Sequence, residues 1–331
     1  MTDMDTPRPF TVLISAAGRR VSLMTSMREA MAAAGITGRV IACDRTELAA
    51  AMHTADARFI VPSCGDPAFA DAVTELCEKE RVDLVVPTID PELPIWARLR
   101  GALGAAGTTV AVSSPATIGI ASDKGLTNRH CAAAGIPVPR QAGFAAVAAS
   151  RAGWSLPLIV KPRAGSAGAG VQVVRDWHHF DTIVAGGTRD DLIVEERLPG
   201  VEHTVDVYVD RFGKAHCPVV RRRLEVRAGE VSKALVVDDE QLAALAVRVV
   251  ESLPGAYGVL NVQMFSDGTQ AAVIEINARF GGGYPLTWRA GGRYSEWLVR
   301  EVAGGGQPPA DPAVEHGLAM LRWDTEVFVN V

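Results

Sequence analysis

The first third of the chain alternates apolar segments with segments of helical periodicity. The runs "FTVLISAAG" (10–18) and "GRVIACD" (38–44) are apolar along most of their length, and the helix-like stretch between them ends at Gly35. The runs "DLVVPTID" and "TTVAVSS" continue the alternation. Strands that are apolar on both faces indicate a parallel sheet covered by helices on each side. We therefore predict an open α/β domain over residues 1–114, with its ligand at the carboxyl ends of the strands.

After residue 114 the period of the pattern changes. Two short helix-like segments precede strands such as "EHTVDVYVD" and "AAVIEINARF", in which apolar and polar residues alternate. This alternation is typical of antiparallel strands with one face in water. One helical segment, "DEQLAALAVRVVESL", interrupts the strands. We predict an α+β domain over residues 115–331.

A glycine-rich loop lies inside this second domain, in "VKPRAGSAGAGVQVV" (160–174). The loop leads from a strand into another strand, and its glycines match neither the Walker spacing nor the Rossmann spacing. Its glycines allow backbone amides to approach an anion, and Lys161 at the end of the preceding strand is placed to reach phosphates. A hairpin tip without a ligand would have the same composition.

Oxygen-bearing side chains follow one another near the end of the chain. In the strand "VIEIN" (273–277), alternation places the valine, Glu275 and Asn277 on one face and the two isoleucines on the other. Gln263 joins this face if the preceding strand pairs across "SDGT". One carboxylate and two amides suit Mg²⁺. Arg279 extends from the same face if the strand continues, where it would neutralise phosphate charge. A solvated strand face with a surface ion pair would show the same spacing.

Two acids, Glu195 and Glu202, flank a Pro-Gly turn in "DLIVEERLPGVEHTVDV". Carboxylates cannot bind phosphate, but they accept hydrogen bonds from an amino group or from ribose hydroxyls. Solvated turn charges are the alternative interpretation.

Taken in order, Lys124, Lys161 with its loop, the acids from Glu195 to Glu202, and Gln263 with Glu275-x-Asn277 resemble the ATP-grasp superfamily. The similarity is to the carbamoyl-phosphate-synthase-like branch, which includes the pyrrolysine-biosynthesis ligase type. It extends from "LISAAGRRV" to about Gly306. The resemblance implies a pre-ATP-grasp domain, then an ATP-grasp domain with a mobile lid at about residues 140–194, and ATP and Mg²⁺ as cofactors.

The resemblance implies nucleotide-binding roles for ten residues. Lys124 and Lys161 correspond to the two nucleotide lysines. The lid loop that closes over the β- and γ-phosphates corresponds to Gly165, Ser166, Ala167 and Gly168. Glu195 corresponds to the position beside the adenine amino group, and Glu202 to the ribose-binding acid. The hinge residues whose backbone meets the adenine edge correspond to Glu196 and Leu198.

The resemblance further implies that Gln263, Glu275 and Asn277 are metal ligands and that Arg279 is the arginine near the γ-phosphate. Many relatives have an acid as the first metal ligand, but Gln263 is neutral, as in the carbamoyl-phosphate branch. The motif "NPR" is "NAR" in this chain. Every position that is charged in that branch is filled in this chain, so we expect an active enzyme.

The acceptor site involves two groups of residues. The basic stretch "RRRLEVRAGEVSK" lies where relatives hold the carboxylate or acylphosphate, and a solvated basic strand is the alternative. Its candidates are the catalytic residues Arg223 and Lys233 and the substrate-binding Arg227. In the first domain, charged residues at the predicted strand ends face the cleft, where paired signs suit a zwitterion such as an amino acid. These residues are Arg19, Arg20, Asp90 and Glu92.

Composition narrows the function classes. Net charge is −5, which argues against a nucleic-acid partner, and no apolar run reaches the length of a membrane span. The N-terminus has no signal-peptide pattern. The five cysteines are dispersed and form no CxxC, which predicts reduced thiols in the cytoplasm. Neither HExxH nor GxSxG occurs.

We therefore expect an ATP-dependent carboxylate–amine ligase that acts through an acylphosphate on small carboxylate and amine substrates, and that assembles as a homodimer. Three alternatives stay open. The enzyme could use a thiol, carbamate or bicarbonate partner; the chain could be a nucleotide-binding regulator without turnover; or it could be a dinucleotide oxidoreductase.

Overall fold

The computed structural model describes residues 8–165, 168–187, 189–227 and 229–330. In these ranges the chain forms three sheets. The first is parallel, as predicted, and its strand order is β3-β2-β1-β4-β5. Its strands are β1 (Phe10–Ser15), β2 (Gly38–Asp44), β3 (Ala57–Ile60), β4 (Leu84–Pro87) and β5 (Thr109–Val110).

Helices cover both faces of this sheet. The three α-helices are α1 (Val21–Ala33), α2 (Phe69–Glu80) and α3 (Leu93–Ala105), and short 3₁₀ helices span Ala50–Thr54 and Asp90–Glu92. The chain leaves β1 toward β2 on one side, and β4 lies on the other side of β1. The crevice between β1 and β4 is therefore the point where the strand order reverses, which is where open α/β sheets hold ligands.

Two helices connect this domain to the rest, α4 (Pro115–Ser122) and α5 (Lys124–Ala133). Each begins with a side-chain cap. The Ser114 hydroxyl accepts from the Thr117 amide, and the Asp123 carboxylate accepts from the amides of Gly125 and Leu126. The cap on α5 makes Lys124 the first residue of its helix.

The second sheet is small and antiparallel, has the order β6-β9-β7-β8 and falls in the segment that was predicted to be the lid, a name we keep for it. Its strands are β6 (Gln141–Gly143), β7 (Leu158–Pro162), β8 (Gln172–Val174) and β9 (Leu192–Glu196), and its helices are α6 (Phe144–Ala149) and α7 (Trp177–Ala185). Strands β7 and β8 are the two arms of the predicted glycine-rich hairpin. The lid has its own small core, centred on Phe144, Phe180 and Val160.

The third sheet is antiparallel and has the order β14-β13-β10-β11-β12-β15. Its strands are β10 (Val201–Val209), β11 (Ala215–Arg227), β12 (Glu230–Val236), β13 (Gly258–Ser266), β14 (Ala271–Asn277) and β15 (Ala319–Leu321). Its helices are α8 (Glu240–Ser252), α9 (Tyr284–Arg289) and α10 (Tyr294–Val302). Strand β12 and helices α9 and α10 are absent from the sequence-based assignment.

The parallel sheet and this large antiparallel sheet share their apolar core. One buried cluster joins Leu13 and Val85 of the first domain to Leu260 and Val249 of the second. Helix α1 also packs on α10, where the Ser26 and Ser295 hydroxyls lie 3.0 Å apart. This packing places the crevice between β1 and β4 next to the large antiparallel sheet. In the described part of the chain, no helix is both long and apolar enough to span a membrane.

Candidate active site

Two adjacent cavities are lined by residues of strands β11, β13 and β14. The nucleotide chamber, as we name the larger one, has a volume of about 770 Å³ and lies between the lid sheet and the large sheet. The acceptor chamber, the smaller one, has a volume of about 370 Å³ and lies between the first domain and the large sheet. Residues that line both chambers are Arg223, Gly229, Gln263 and Glu275. A group transferred between the chambers would pass these residues.

Lys161 lies on β7 at the root of the glycine-rich hairpin and lines the nucleotide chamber. Its Nζ is 2.6 Å from Glu195 Oε2 on β9, and both side chains are almost fully buried. Gln141 Nε2 donates to the other carboxylate oxygen of Glu195 at 2.7 Å. Because both carboxylate oxygens have donors, the buried lysine is held at a defined position in the chamber wall.

Lys124 reaches the same chamber from the start of α5. Its Nζ donates to the Gly165 carbonyl at 2.7 Å and lies 3.2 Å from Glu275 Oε1. It therefore connects the hairpin loop to the strand that carries the predicted metal ligands. Gly165 and Gly168 line the chamber, whereas Ser166 and Ala167 lie outside the described residues.

The end of β9, the start of β10 and the segment between them form a wall of the nucleotide chamber, with Glu196, Leu198 and Glu202 among the lining residues. The Glu196 carboxylate accepts from the Arg140 amide at 3.0 Å. The pKa of Glu202 is raised, chiefly because this carboxyl is buried. The charge of nearby Glu275 acts in the same direction, whereas the charges of Arg223 and Lys161 act to lower the pKa. This carboxyl therefore lies among both positive and negative groups, 3.4 Å from Arg223 Nε.

The predicted metal ligands are brought together by strand pairing. Gln263 pairs with Glu275 and Asn261 pairs with Asn277 across the β13–β14 hairpin, as the alternation required. The face of the valine in "VIEIN" was predicted wrongly, because strand β14 has a bulge between Val273 and Glu275. Val273 therefore lies in the core with Ile276, and Ile274 lines the nucleotide chamber instead.

This donor set fits a hard divalent cation. Gln263 and Glu275 line both chambers, and Asn277 lines the acceptor chamber. One carboxylate and two amides of this type suit Mg²⁺ when phosphate and water complete the shell. Among the residues that the structure describes, no group of three or more His, Cys, Asp or Glu side chains is placed to hold a metal. A metal here would therefore need ligand oxygens from a bound phosphate.

Arg279 lies at the edge of the acceptor chamber and bridges the two domains. Its Nε and Nη2 donate to the Asp90 carboxylate at 2.9 and 2.7 Å, and Nη2 lies 3.2 Å from Asn277 Oδ1. Asp90 begins the 3₁₀ helix after β4, at the crevice of the parallel sheet. The first domain therefore positions an arginine beside the metal-ligand cluster.

Two family models match the chain. Residues 12–111 match a PylC-like N-terminal domain, and residues 121–283 match an ATP-grasp domain. The chain belongs to the ATP-grasp family. The predicted resemblance of the chain to the ATP-grasp superfamily is confirmed.

Known relatives agree with this assignment. The chain is 30% identical over 273 residues to a formate-dependent phosphoribosylglycinamide formyltransferase from Synechococcus sp. (strain CC9605), a match that covers 76% of this chain and 66% of that protein. The chain spans about two thirds of the length of such curated relatives.

Solved structures show the same fold. A biotin carboxylase from Campylobacter jejuni superposes with a TM-score of 0.72 at 18% identity, over 93% of this chain and 74% of that one. An L-amino acid ligase from Bacillus licheniformis superposes with a TM-score of 0.71 at 18% identity, over 91% and 76%. At this identity the two structures establish the ATP-grasp fold alone.

Three of the predicted acceptor residues lie elsewhere in this ATP-grasp chain. Glu92 does not face the cleft: it is 1% exposed and its carboxylate accepts from Ser15 Oγ, the Thr88 amide and Trp96 Nε1 at 2.6, 2.9 and 3.1 Å. Its position follows from the 3₁₀ turn after β4, which directs it into the sheet. Burial raises its pKa.

Lys233 and Arg227 were also placed wrongly, because they lie on the outer surface of the β11–β12 hairpin. Lys233 Nζ is 2.6 Å from Glu225, and Arg227 Nη2 is 2.6 Å from Asp324, with all four side chains about half exposed or more. The described residues that line the two chambers include neither of them.

At the first domain, Arg20 rather than Arg19 lines the acceptor chamber. Arg19 is largely exposed and lies 3.5 Å from Glu230, itself a lining residue. Burial lowers the pKa of Arg20, and Arg279 and Arg322 act in the same direction against the opposing charge of Glu230.

Sequence reasoning missed Arg221, Glu230 and the glycines 281–283, which also line the acceptor chamber. The "RRR" triplet contained a usable signal. In a strand its first and third members share a face, so the selection of Arg223 implied Arg221. The place of Glu230 in the chamber could not be inferred from the sequence pattern, because its strand, β12, was not predicted.

Proposed function

We propose that this protein is an ATP-dependent carboxylate–amine ligase that releases ADP and phosphate. The observation that carries the proposal is the meeting of the two chambers at Arg223, Gln263 and Glu275. A nucleotide in the larger chamber would present its terminal phosphate there to a carboxylate held in the smaller one. The names of the relatives, a formate-dependent transferase and an L-amino acid ligase, support carboxylate chemistry.

The nucleotide chamber has the parts that ATP needs. The wall formed by Glu196 and Leu198 would hold the base, and Glu202 would accept from the ribose hydroxyls. Lys124 and Lys161 carry the positive charge, and the hairpin glycines bring backbone amides to the phosphates. The volume of about 770 Å³ suits a ligand of nucleotide size.

The reaction would proceed in two balanced steps. A carboxylate oxygen attacks the γ-phosphorus, the bond to the β–γ bridging oxygen breaks, and ADP leaves. An amine nitrogen then attacks the acyl carbon of the acylphosphate, phosphate leaves with the bonding pair, and the amine loses a proton. Arg279 and Arg223 would stabilise charge on the transferred group.

Gln263, Glu275 and Asn277 would hold Mg²⁺, which when bound supplies positive charge beside the phosphates. Lys161 and Lys124 would be released from Glu195 and Glu275 to contact the nucleotide. The lid would exclude water, which otherwise hydrolyses an acylphosphate. Small carboxylate and amine substrates, a cytoplasmic location and a homodimer stay predictions, and the five free cysteines support a reducing compartment.

The proposal is tested by ADP release from the full chain with Mg·ATP, a panel of carboxylates and a panel of amines. We expect ADP to form only with a carboxylate present, and an amide product to appear when an amine is added. ADP release that needs bicarbonate or a thiol would favour the alternative ligase, and ATP binding without ADP under any acceptor would favour a regulator.

Glu275→Gln tests the catalytic cluster directly. It preserves the shape of the side chain but removes the only carboxylate among the three proposed metal ligands, so ADP formation should fall at least about a hundredfold. Glu240→Gln, at the exposed start of α8, is the control and should be unchanged. Normal turnover by Glu275→Gln would show that the metal assignment is wrong.

A further inference from the structure

Arg221 is locked into the wall of the acceptor chamber by a buried ion pair. Its Nε and Nη2 donate to the two carboxylate oxygens of Asp206 at 3.0 and 2.7 Å, and the side chains are 2% and 0% exposed. Asp206 is itself fixed, because the Thr287 hydroxyl donates to its carboxylate and the Tyr294 hydroxyl donates to its carbonyl. The guanidinium therefore has one fixed orientation.

One nitrogen of this guanidinium is left over. Arg221 Nη1 is buried and has no hydrogen-bond partner among the residues that the structure describes. A buried donor without an acceptor costs folding free energy, and folded proteins rarely contain such a donor. Nη1 lies against Gly283, where a Cβ would overlap it, so the absence of a side chain at this glycine makes room for the guanidinium.

A second guanidinium follows at the next position on the same face of β11. Arg223 lies two residues along the strand from Arg221, about 6.6 Å away by strand geometry. It lines both chambers, and its buried Nε has no hydrogen-bond partner among the described residues, with the Glu202 carboxylate 3.4 Å away. One arginine is therefore at the phosphoryl-transfer junction, and the other lies within the acceptor chamber.

The chamber also contains negative charge. Burial acts to raise the pKa of Glu230, but Arg20, Arg322 and Arg19 outweigh it and hold the pKa below its ordinary value. Glu230 is therefore ionised at neutral pH and lines the same cavity as Arg221. Glu230 lies 3.1, 3.5 and 3.7 Å from Arg322, Arg19 and Arg20, so its charge is already shared among three guanidinium groups. A ligand that contacts Arg221, Arg223 and Glu230 with groups of opposite charge carries two negative groups and one positive group.

Size limits this ligand further. The chamber volume of about 370 Å³ is at the low end for small-molecule sites. A five-carbon diacid spans about 5 Å between its carboxyl carbons, given bonds of about 1.5 Å, and its oxygens extend the reach to both arginines.

We propose, resting on the ligase function above, that the acceptor chamber selects an amino dicarboxylic acid of glutamate size. One carboxylate lies at Arg223, where it is phosphorylated. The second carboxylate accepts from Arg221 and anchors the molecule, and the ammonium group lies at Glu230.

The test measures binding and not turnover. Both enantiomers of glutamate and of glutamine are titrated into the full chain by calorimetry, with and without Mg·ADP. Glutamine preserves the length and the ammonium but replaces the second carboxylate with a neutral amide. We expect one glutamate enantiomer to bind roughly 10- to 100-fold more tightly than the matching glutamine.

Two variants assign that preference to Arg221. The double variant Arg221→Met/Asp206→Asn removes both charges of the buried pair together, and Gly283→Ala introduces a methyl group that overlaps the Arg221 guanidinium and displaces it. In each variant, glutamate and glutamine should bind with about equal affinity. The control is Arg222→Met, which removes the neighbouring arginine that is exposed on the opposite face and should leave the preference unchanged. If the double variant does not fold, Gly283→Ala decides.

The outcomes separate this proposal from the ligase function. A glutamate preference that Gly283→Ala abolishes supports it, whatever the rate of ADP formation. Equal binding of glutamate and glutamine, or no binding of either, overturns it even if another carboxylate drives ADP release. A preference that survives in both Arg221 and Gly283 variants also overturns it. The ligase function fails separately if no carboxylate stimulates ADP formation.

Discussion

The partners of a buried carboxylate distinguish a residue at the candidate site from one with a structural role in this protein. Glu195 and Glu92 are both almost fully buried, but Glu195 is paired with Lys161 at the nucleotide chamber, whereas Glu92 accepts only neutral donors inside the first domain. A buried carboxylate without a cation binds its proton more tightly, and this explains the raised pKa of Glu92.

Glu92 should therefore make stability depend on pH. Because the folded state holds this proton more tightly than the unfolded chain, the free energy of unfolding falls as pH rises from about 4.5 through the raised pKa. Glu92→Gln does not titrate, so the stability of the wild type relative to this variant should decrease across that window. Urea denaturation at a series of pH values measures the difference.

The exposed Glu326→Gln is the control, and its difference from the wild type should not vary with pH. A constant difference for Glu92→Gln from acid to neutral pH would show that burial does not shift this carboxyl.

At the level of elements, two turns next to β10 illustrate how backbone contacts position the chambers. Gly200 connects the lid to the large sheet and lines the nucleotide chamber, with φ at +90°. A Cβ there would overlap the backbone carbonyl of Ser266 on β13. Gly213, in the β10–β11 turn, has φ at +80° but open space around it.

Gly200→Ala and Gly213→Ala form a matched pair. Both residues have positive φ, so each substitution should cost about 1 kcal/mol of backbone strain. Gly200→Ala should cost roughly 2–4 kcal/mol in total, because the β13 backbone must shift, and it should also weaken ATP binding. Urea denaturation and nucleotide titration measure the two effects. Equal stability of the two variants would mean that the overlap relaxes without cost.

On the scale of the whole molecule, the acceptor chamber exists because two domains share one core and meet at a charged contact. The Asp90–Arg279 pair spans that contact with two hydrogen bonds, and the side chains are 30% and 13% exposed. Partial burial with bidentate geometry distinguishes it from an ordinary surface ion pair.

A double-mutant cycle with Asp90→Ala and Arg279→Ala tests this contact. We expect a coupling energy of about 1 kcal/mol or more in the free energy of unfolding, because the partners contact each other directly. The exposed pair of Arg189 and Asp191, two residues apart, is the control and should couple weakly. Additive effects at Asp90 and Arg279 would show that the pair does not join the domains.

The sequence by itself determined the fold class and the pairing of the strands that carry Gln263 and Glu275. Apolar strands alternating with helices required a covered parallel sheet, and the pairing of Gln263 with Glu275 followed from alternation across a short turn. These features depend on residues close in the chain, so local periodicity is sufficient to predict them.

Only the tertiary structure decided the acceptor chamber. The 3₁₀ turn directed Glu92 inward, and the β11–β12 hairpin directed Lys233 outward. The bulge in β14 exchanged the faces of Val273 and Ile274. Arg221 meets Asp206 from the neighbouring strand and Gly283 from the segment before α9. These contacts join distant parts of the chain, and the direction of each side chain depends on packing that no local pattern specifies.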